Sequence, residues 1–323
     1  MRPHALRLAL VSALAIAGVA LAVLPLISSH DAHAGVPAAA WSTRSVPVVE
    51  SHGDGPVLAA ATSGGSTYTD APARPVTCVR GSSAPAFQVV YAYPRDAGNR
   101  RSSAIRTIRR AMAQANGIIY KSARETAPGS DVRLRVRCNR YQAISVATYA
   151  FSKAGADGRG ETFRQIITAG RKAGFRSGAS KYVVFWDSGI SGMCGQAEMH
   201  LDTSRSVANA NNTGNNYAVV YGRTCWTGTS TMHELGHTMG AVQNDAPHAT
   251  GTAHCNQEQD VMCYADGGPS GRTSNLRYSC ARIVRFDCGH DDYFRVGRTS
   301  GYLATHWQVG WVGNRFLSFR GTL

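Results

Sequence analysis

"TMHELGHTMGAVQNDAPH", residues 231–248, carries the pattern from which the rest of the chain is best read. His233 and His237 stand four residues apart, so a helix sets both imidazoles on one face, one turn from each other, where they can grip a single ion. Glu234 follows the first histidine directly and brings a carboxylate to the same place. In a chain with 11 histidines among 323 residues, H-E-x-x-H arises by chance about 0.007 times. A zinc ion held there lowers the pKa of its water to about 7, and a carboxylate beside it takes the proton as that water attacks a carbonyl. His233 and His237 are therefore the candidate ligands and Glu234 the candidate general base. Gly240 allows a left-handed turn that stops the helix and sends the chain back, in a position to return a further ligand.

The chain opens as an export signal. "MRPHALR" is a basic start, "LALVSALAIAGVALAVLPLI" an apolar run, and "SSHDAHA" ends in a small-x-small site, which places cleavage after Ala34. The apolar run is also about the length of a membrane span, but Pro25 and the Ala-His-Ala site favour removal. A secreted, extracellular product is expected, with no membrane contact once the leader is gone. Eight cysteines follow, an even number that suits disulfides in an exported protein. Cys255–Cys263 and Cys280–Cys288 are the pairs that sequence proximity suggests. Cys78 as an inhibitory thiolate is disfavoured, because it would leave an odd number of thiols. The formal charge of +14 rests on 34 basic residues, nearly all of them arginines scattered along the chain. No basic stripe with interleaved aromatics or nucleic-acid module accompanies them, so nucleic acid is not an expected partner.

With "HELGHTMG", the downstream "DVMCY" at 260–264 and export taken together, the chain resembles the metzincin clan of zinc endopeptidases, and in particular exported actinobacterial chains of this type. The long form of that clan's motif is H-E-x-x-H-x-x-G-x-x-H. The resemblance implies an α/β (mixed α+β) fold: a twisted mixed sheet, an active-site helix and a smaller C-terminal subdomain. It implies Met262 as an apolar floor under the metal, Tyr264 as a metal contact or oxyanion stabiliser, and a peptide or protein as substrate. A monomer is expected.

One departure stands out. Gln243 occupies the third histidine's place, and glutamine is a poor zinc ligand. His248, reached through a five-residue extension after Gly240, is the preferred third ligand. His254, beside Cys255, is the next choice, and Gln243, Asp245 or no third protein ligand remain open. The gap also motivates a rival reading, a non-catalytic secreted binding protein on a degenerate metzincin fold. A cationic polyanion-binding protein is a further rival.

Organisation fits one domain behind a leader: 1–34 signal peptide, 35–78 an Ala/Gly/Ser/Thr/Pro-rich linker or short propeptide, 79–323 the metallopeptidase-like domain. "FQVVYAY" reads as a strand. Ile105, Ile108, Met112, Ala115 and Ile119 mark an amphipathic helix. "DVRLRVRC" alternates as a strand with one wet arginine face, 161–174 reads as a helix, "KYVVFWDS" as a buried strand and "YAVVYG" as another. "MCGQAEMHL" at 193–201 is a candidate edge strand on which a peptide substrate adds. The acids of "DCGHDDYF" at 287–294 suggest a helix N-cap, or more weakly a calcium site.

Overall fold

The computed structural model describes residues 71–323 apart from 153–158, 191, 259, 265, 267–276 and 279–283, together with Val48–Val49. The expected leader, residues 1–34, and most of the 35–78 segment lie outside the described residues, as does Cys280 of the expected Cys280–Cys288 pair. No helix among the described residues is long and apolar enough to cross a membrane.

In chain order the elements are β1 (Val48–Val49), β2 (Thr77–Val79), β3 (Ala86–Pro94), α1 (Arg101–Thr126), β4 (Ser130–Arg137), β5 (Val146–Phe151), α2 (Arg159–Lys172), β6 (Ser180–Trp186), β7 (Gly195–Glu198), β8 (Tyr217–Tyr221), α3 (Gly228–Thr238), β9 (Gln257–Glu258), β10 (Arg277–Tyr278), α4 (Tyr302–Thr305) and β11 (Leu317–Gly321). Among the described residues, nine strands form one mixed sheet in the order β1-β7-β8-β6-β3-β4-β11, with β2 also on β4 and β5 also on β3. The centre, β3 to β6 to β8, is parallel. β7 and β1 extend it antiparallel at one side, and β11 closes the other against β4 with Leu317 opposite Leu134.

The sequence explains the layering. β6, Ser-Lys-Tyr-Val-Val-Phe-Trp, is buried along its whole length because parallel neighbours flank it and helices cover both faces. Val183 and Phe185 meet Ile108, Met112 and Ile119 of α1 and Leu235 of α3. Tyr182, Val184 and Trp186 meet Phe163, Ile166 and Ile167 of α2 on the other side. Each such side chain contributes roughly 1.5–3 kcal/mol by leaving water. This places α1 and α3 together beneath the sheet, so the H-E-x-x-H helix is clamped by core residues along one flank.

Two expectations change in detail. The arginine face of β4 is not wet throughout. Arg137 is only 6% exposed, and its guanidinium donates to the carbonyls of Gly81, Ser82, Ala84 and Ala179, so the loop before β3 uses it as an internal tie. The packed chain also begins upstream of residue 79. Ala71 is buried, and Asn116 of α1 donates to the carbonyls of Arg74 and Pro75 while accepting from the Leu134 N–H, stitching this segment to helix and sheet at once.

Beyond α3 the chain has little regular structure and is knitted by side chains. The acids of 287–294 cap a loop rather than a helix: the Asp287 carboxylate accepts from the backbone N–H groups of Asp292, Tyr293 and Phe294 at 3.1, 2.7 and 2.6 Å. Asp260, one residue before the Val261–Met262 pair, accepts from the N–H of Cys288 at 2.7 Å and from the Tyr293 hydroxyl. The Asp260 and Asp287 carboxylates are spent on the protein itself. Disulfides join Cys78 to Cys138, Cys194 to Cys225 and Cys255 to Cys263.

Candidate metal centre and active site

α3 is a short helix with defined ends. Thr227 caps its start, its hydroxyl accepting from the Ser230 N–H at 3.1 Å. Its end is a Schellman turn: the Gly240 N–H reaches the His237 carbonyl at 2.8 Å and the Ala241 N–H reaches the Gly236 carbonyl at 3.0 Å. Gly240 holds φ +88°, and a Cβ there would meet the Asn211 side chain at 2.7 Å, so only glycine suits the position. The chain thus reverses where the sequence places the stop.

Between these ends, His233 and His237 project as their spacing requires, with Nε2 atoms 3.1 Å apart. The third imidazole beside them belongs to His254. Its ring centroid lies 5.2 Å from that of His233 and 4.9 Å from that of His237, and one ring nitrogen from each of the three lies within 4.8 Å of the others. Each of the three side chains belongs to a residue 1% exposed.

The preferred third residue, His248, stands elsewhere. Its Nδ1 faces Asp292 Oδ2 at 3.0 Å, and its backbone N–H donates to the same carboxylate at 2.8 Å. Gln243 is tied off as well, its Nε2 donating to the carbonyls of Gly240 and His200 at 3.1 Å each. Asp245 accepts from the Tyr302 hydroxyl at 2.7 Å. The physical reason is the loop. After Gly240 it runs outward past His248 and closes only where the Val242 N–H meets the Ala253 carbonyl, 3.3 Å away, which delivers the next residue, His254, to the helix. The Cys255–Cys263 disulfide and the Tyr264 N–H to Cys255 carbonyl bond, 3.0 Å, fix that delivery against the Met262 turn.

The outer nitrogens of this cluster are occupied in a manner that sets their tautomers. His233 Nδ1 donates to the Val261 carbonyl at 2.7 Å. His254 Nδ1 donates to Asp266 Oδ2 at 3.0 Å, with both side chains almost wholly buried. The Nε2 atoms of His233 and His254 are then lone-pair donors. Burial holds His237 well below the usual histidine range, and the neighbouring His233 and His254 push in the same direction. Three buried imidazoles with two outer nitrogens anchored on a carbonyl and a carboxylate are a donor set suited to zinc. Asp266 is the residue that sequence reasoning missed, since nothing in its spacing from His254 marks it; it also accepts from the hydroxyls of Thr250 and Thr252.

The remaining expected residues gather at the same place. Tyr264 presents its hydroxyl 3.2 Å from His254 Nε2. Met262 is fully buried below α3, so close that a Cβ on Gly236 would lie 2.6 Å from its sulfur. Glu234, 1% exposed, packs against β7. A Cβ on Gly195 would fall 2.2 Å from Glu234 Oε1 and 2.5 Å from its Cδ, so the strand passes the carboxylate at a distance only glycine permits.

The profile of metallo-peptidase family M12 (Reprolysin_5) matches residues 89–278, more than half of the chain. Among solved structures, OgpA from Akkermansia muciniphila is similar at 12% identity and TM-score 0.34, over 72% of this chain and 70% of that one. Metalloproteinase-II from Bacteroides fragilis is similar at 17% identity and TM-score 0.27, over 62% of this chain and 53% of that one. No curated protein matches the chain. With its mixed sheet, its H-E-x-x-H helix and its buried histidine cluster, the chain belongs to metallo-peptidase family M12 and is a metzincin-type zinc metallopeptidase, a hydrolase of peptide bonds.

Proposed function

We propose that the chain is a secreted zinc endopeptidase in which His233, His237 and His254 hold the ion, Glu234 is the general base and Tyr264 stabilises the oxyanion. The observation that carries this reading is the convergence of three buried imidazoles, two of them with the outer nitrogen already anchored. When bound, zinc supplies Lewis acidity, polarising the scissile carbonyl and acidifying water. Glu234 accepts the proton of the attacking water and passes it to the leaving amine. Asp266 and the Val261 carbonyl keep His254 and His233 in the tautomer that directs a lone pair inward. The Tyr264 hydroxyl, within reach of His254, donates to the oxygen that gains charge in the transition state. The substrate lies extended along β7, whose Gly195 borders Glu234. Three disulfides among the described residues and the exported-type leader support an extracellular location.

The test is zinc per folded chain together with cleavage of a mixed peptide library. One tightly held zinc with zinc-dependent cleavage is expected, and a folded, disulfide-bonded chain that takes up no zinc would sink the reading. Two variants probe its parts. Asp266→Asn should weaken zinc binding about 10–100-fold, read by competition with a chelator; an unchanged affinity would deny Asp266 its anchoring role. Gly195→Ala should displace the Glu234 carboxylate and lower kcat/KM about a hundredfold with zinc content unaltered. Full activity in that variant would mean that the close approach of strand and carboxylate plays no part.

A further inference from the structure

We propose that His248, Asp291 and Asp292 form a second metal site, which takes a zinc ion and fastens the loop that delivers His254 to the C-terminal part of the chain. The site stands on its own residues and does not depend on the cleavage of peptides.

His248 Nδ1 lies 3.0 Å from Asp292 Oδ2 and 3.7 Å from Asp291 Oδ1, and one donor atom from each of the three residues lies within 4.8 Å of the others. Ligands of one tetrahedral zinc, each about 2.1 Å from it, stand about 3.4 Å apart, so the two measured separations bracket what an ion needs. His248 Nδ1 donates to Asp292 in this state. Moving the ring proton to Nε2 frees the Nδ1 lone pair for a metal. A nitrogen donor beside two carboxylates suits zinc and separates the site from the oxygen shells of calcium and magnesium.

The charge balance favours a cation in the same place. Asp292 is buried, and so is Asp287, whose carboxylate accepts from the backbone N–H groups of Asp291 and Asp292. Among the described residues no lysine or arginine pairs with any of these three carboxylates, and His248 is the side chain that faces Asp291 and Asp292. Buried carboxylates are costly without a compensating positive charge. A further oxygen stands beside them. Gln257 is 5% exposed, and its Oε1 has no hydrogen-bond partner among the described residues. Its amide end and Asp291 flank one point: a Cβ on Gly289 would lie 3.2 Å from Gln257 Nε2 and 2.2 Å from Asp291 Oδ1. Turning that amide over brings Oε1 to the site as a fourth donor.

His248 belongs to the loop between Gly240 and His254, whereas Asp292 lies 44 positions further along the chain. An ion bound to both therefore braces the loop that carries His254. The His248 and Asp291 side chains are 25% and 50% exposed, so the ion enters from solvent and is held less tightly than one among three buried imidazoles. A dialysed chain keeps the first ion and takes the second only from added zinc.

The test titrates zinc chloride into the dialysed full chain carrying Glu234→Gln, by calorimetry, with Tm read in parallel. One further equivalent is expected, and a Tm about 5 °C higher or more at zinc a hundred times its Kd. Asp291→Asn, at a half-exposed position that the fold does not need, should weaken that equivalent about tenfold or more. His248→Ala should remove it, whereas His254→Ala should still take it up. No further equivalent, or one bound equally well by Asp291→Asn and His248→Ala, overturns the inference. Calcium chloride raising Tm as far as zinc does overturns the nitrogen ligand. Neither readout uses peptide cleavage, so a failed titration leaves the peptidase reading standing, and an inactive chain that takes up the further ion leaves this site standing.

Discussion

Glu234→Ala is expected to lower kcat/KM for peptide cleavage by about 10²–10⁴-fold, the contribution of a positioned general base, while bound zinc stays at one per chain. The two readouts part because Glu234 is adjacent to the histidine cluster without belonging to it. His233, His237 and His254 bring their nitrogens together on their own, and removing a neighbouring carboxylate leaves those donors in place. Among the described residues, two nearby carboxylates are committed elsewhere. Glu198 also stands on β7, but it is paired with Arg171 at 3.0 Å and accepts the Tyr217 N–H at 2.9 Å. Asp266 is committed to His254 Nδ1. A Glu234→Ala protein that holds zinc and cleaves at the parent rate would remove Glu234 from the mechanism.

The second large effect distinguishes two histidines that are six positions apart. His254→Ala is expected to cost more than the 10–100-fold in zinc affinity that loss of an outer-shell partner costs, and to abolish cleavage with it. His248→Ala is expected to retain both zinc and activity. Its cost falls on stability instead, roughly 1–3 kcal/mol, because the buried Asp292 carboxylate loses the imidazole and keeps only the backbone N–H of residue 248. Zinc content, chelator competition and a denaturant melt on the two variants read all three quantities. Zinc lost on His248→Ala and kept on His254→Ala would restore the shorter loop as the route to the metal.

Part of this site was legible before any fold was known, and the reason is locality. A helix converts a four-residue spacing into one shared face, so His233, His237 and Glu234 are placed by five residues of chain. Gly240 marks the Schellman turn for the same reason, being a left-handed position within one turn of the helix end. The alternation in β4 and the apolar run of β6 likewise report which faces are covered, because strand periodicity is a property of neighbours in sequence. Arg137 shows the limit of that rule. Its place in the pattern is polar and exposed, yet four carbonyls brought there by other segments make it an internal residue.

The third imidazole was not legible in this way. His248 and His254 are both within reach of a chain that reverses at Gly240, and nothing in residues 241–254 chooses between them. The choice is made by groups far off in the sequence: Asp292, 44 positions from His248, draws that side chain aside, while Asp266 and the Cys255–Cys263 bridge hold His254 against the helix. The occupied edge of β7 is likewise decided at long range, by pairing of Val48–Val49 with residues about 150 positions further along the chain. What the sequence alone determined is the helix that sets His233, Glu234 and His237 close together, its stop and the layers around it, all written in short-range periodicity. Which histidine completes the cluster and which strand pairs with β7 were decided only by tertiary structure, because loop closure and strand pairing depend on partners that no local pattern names.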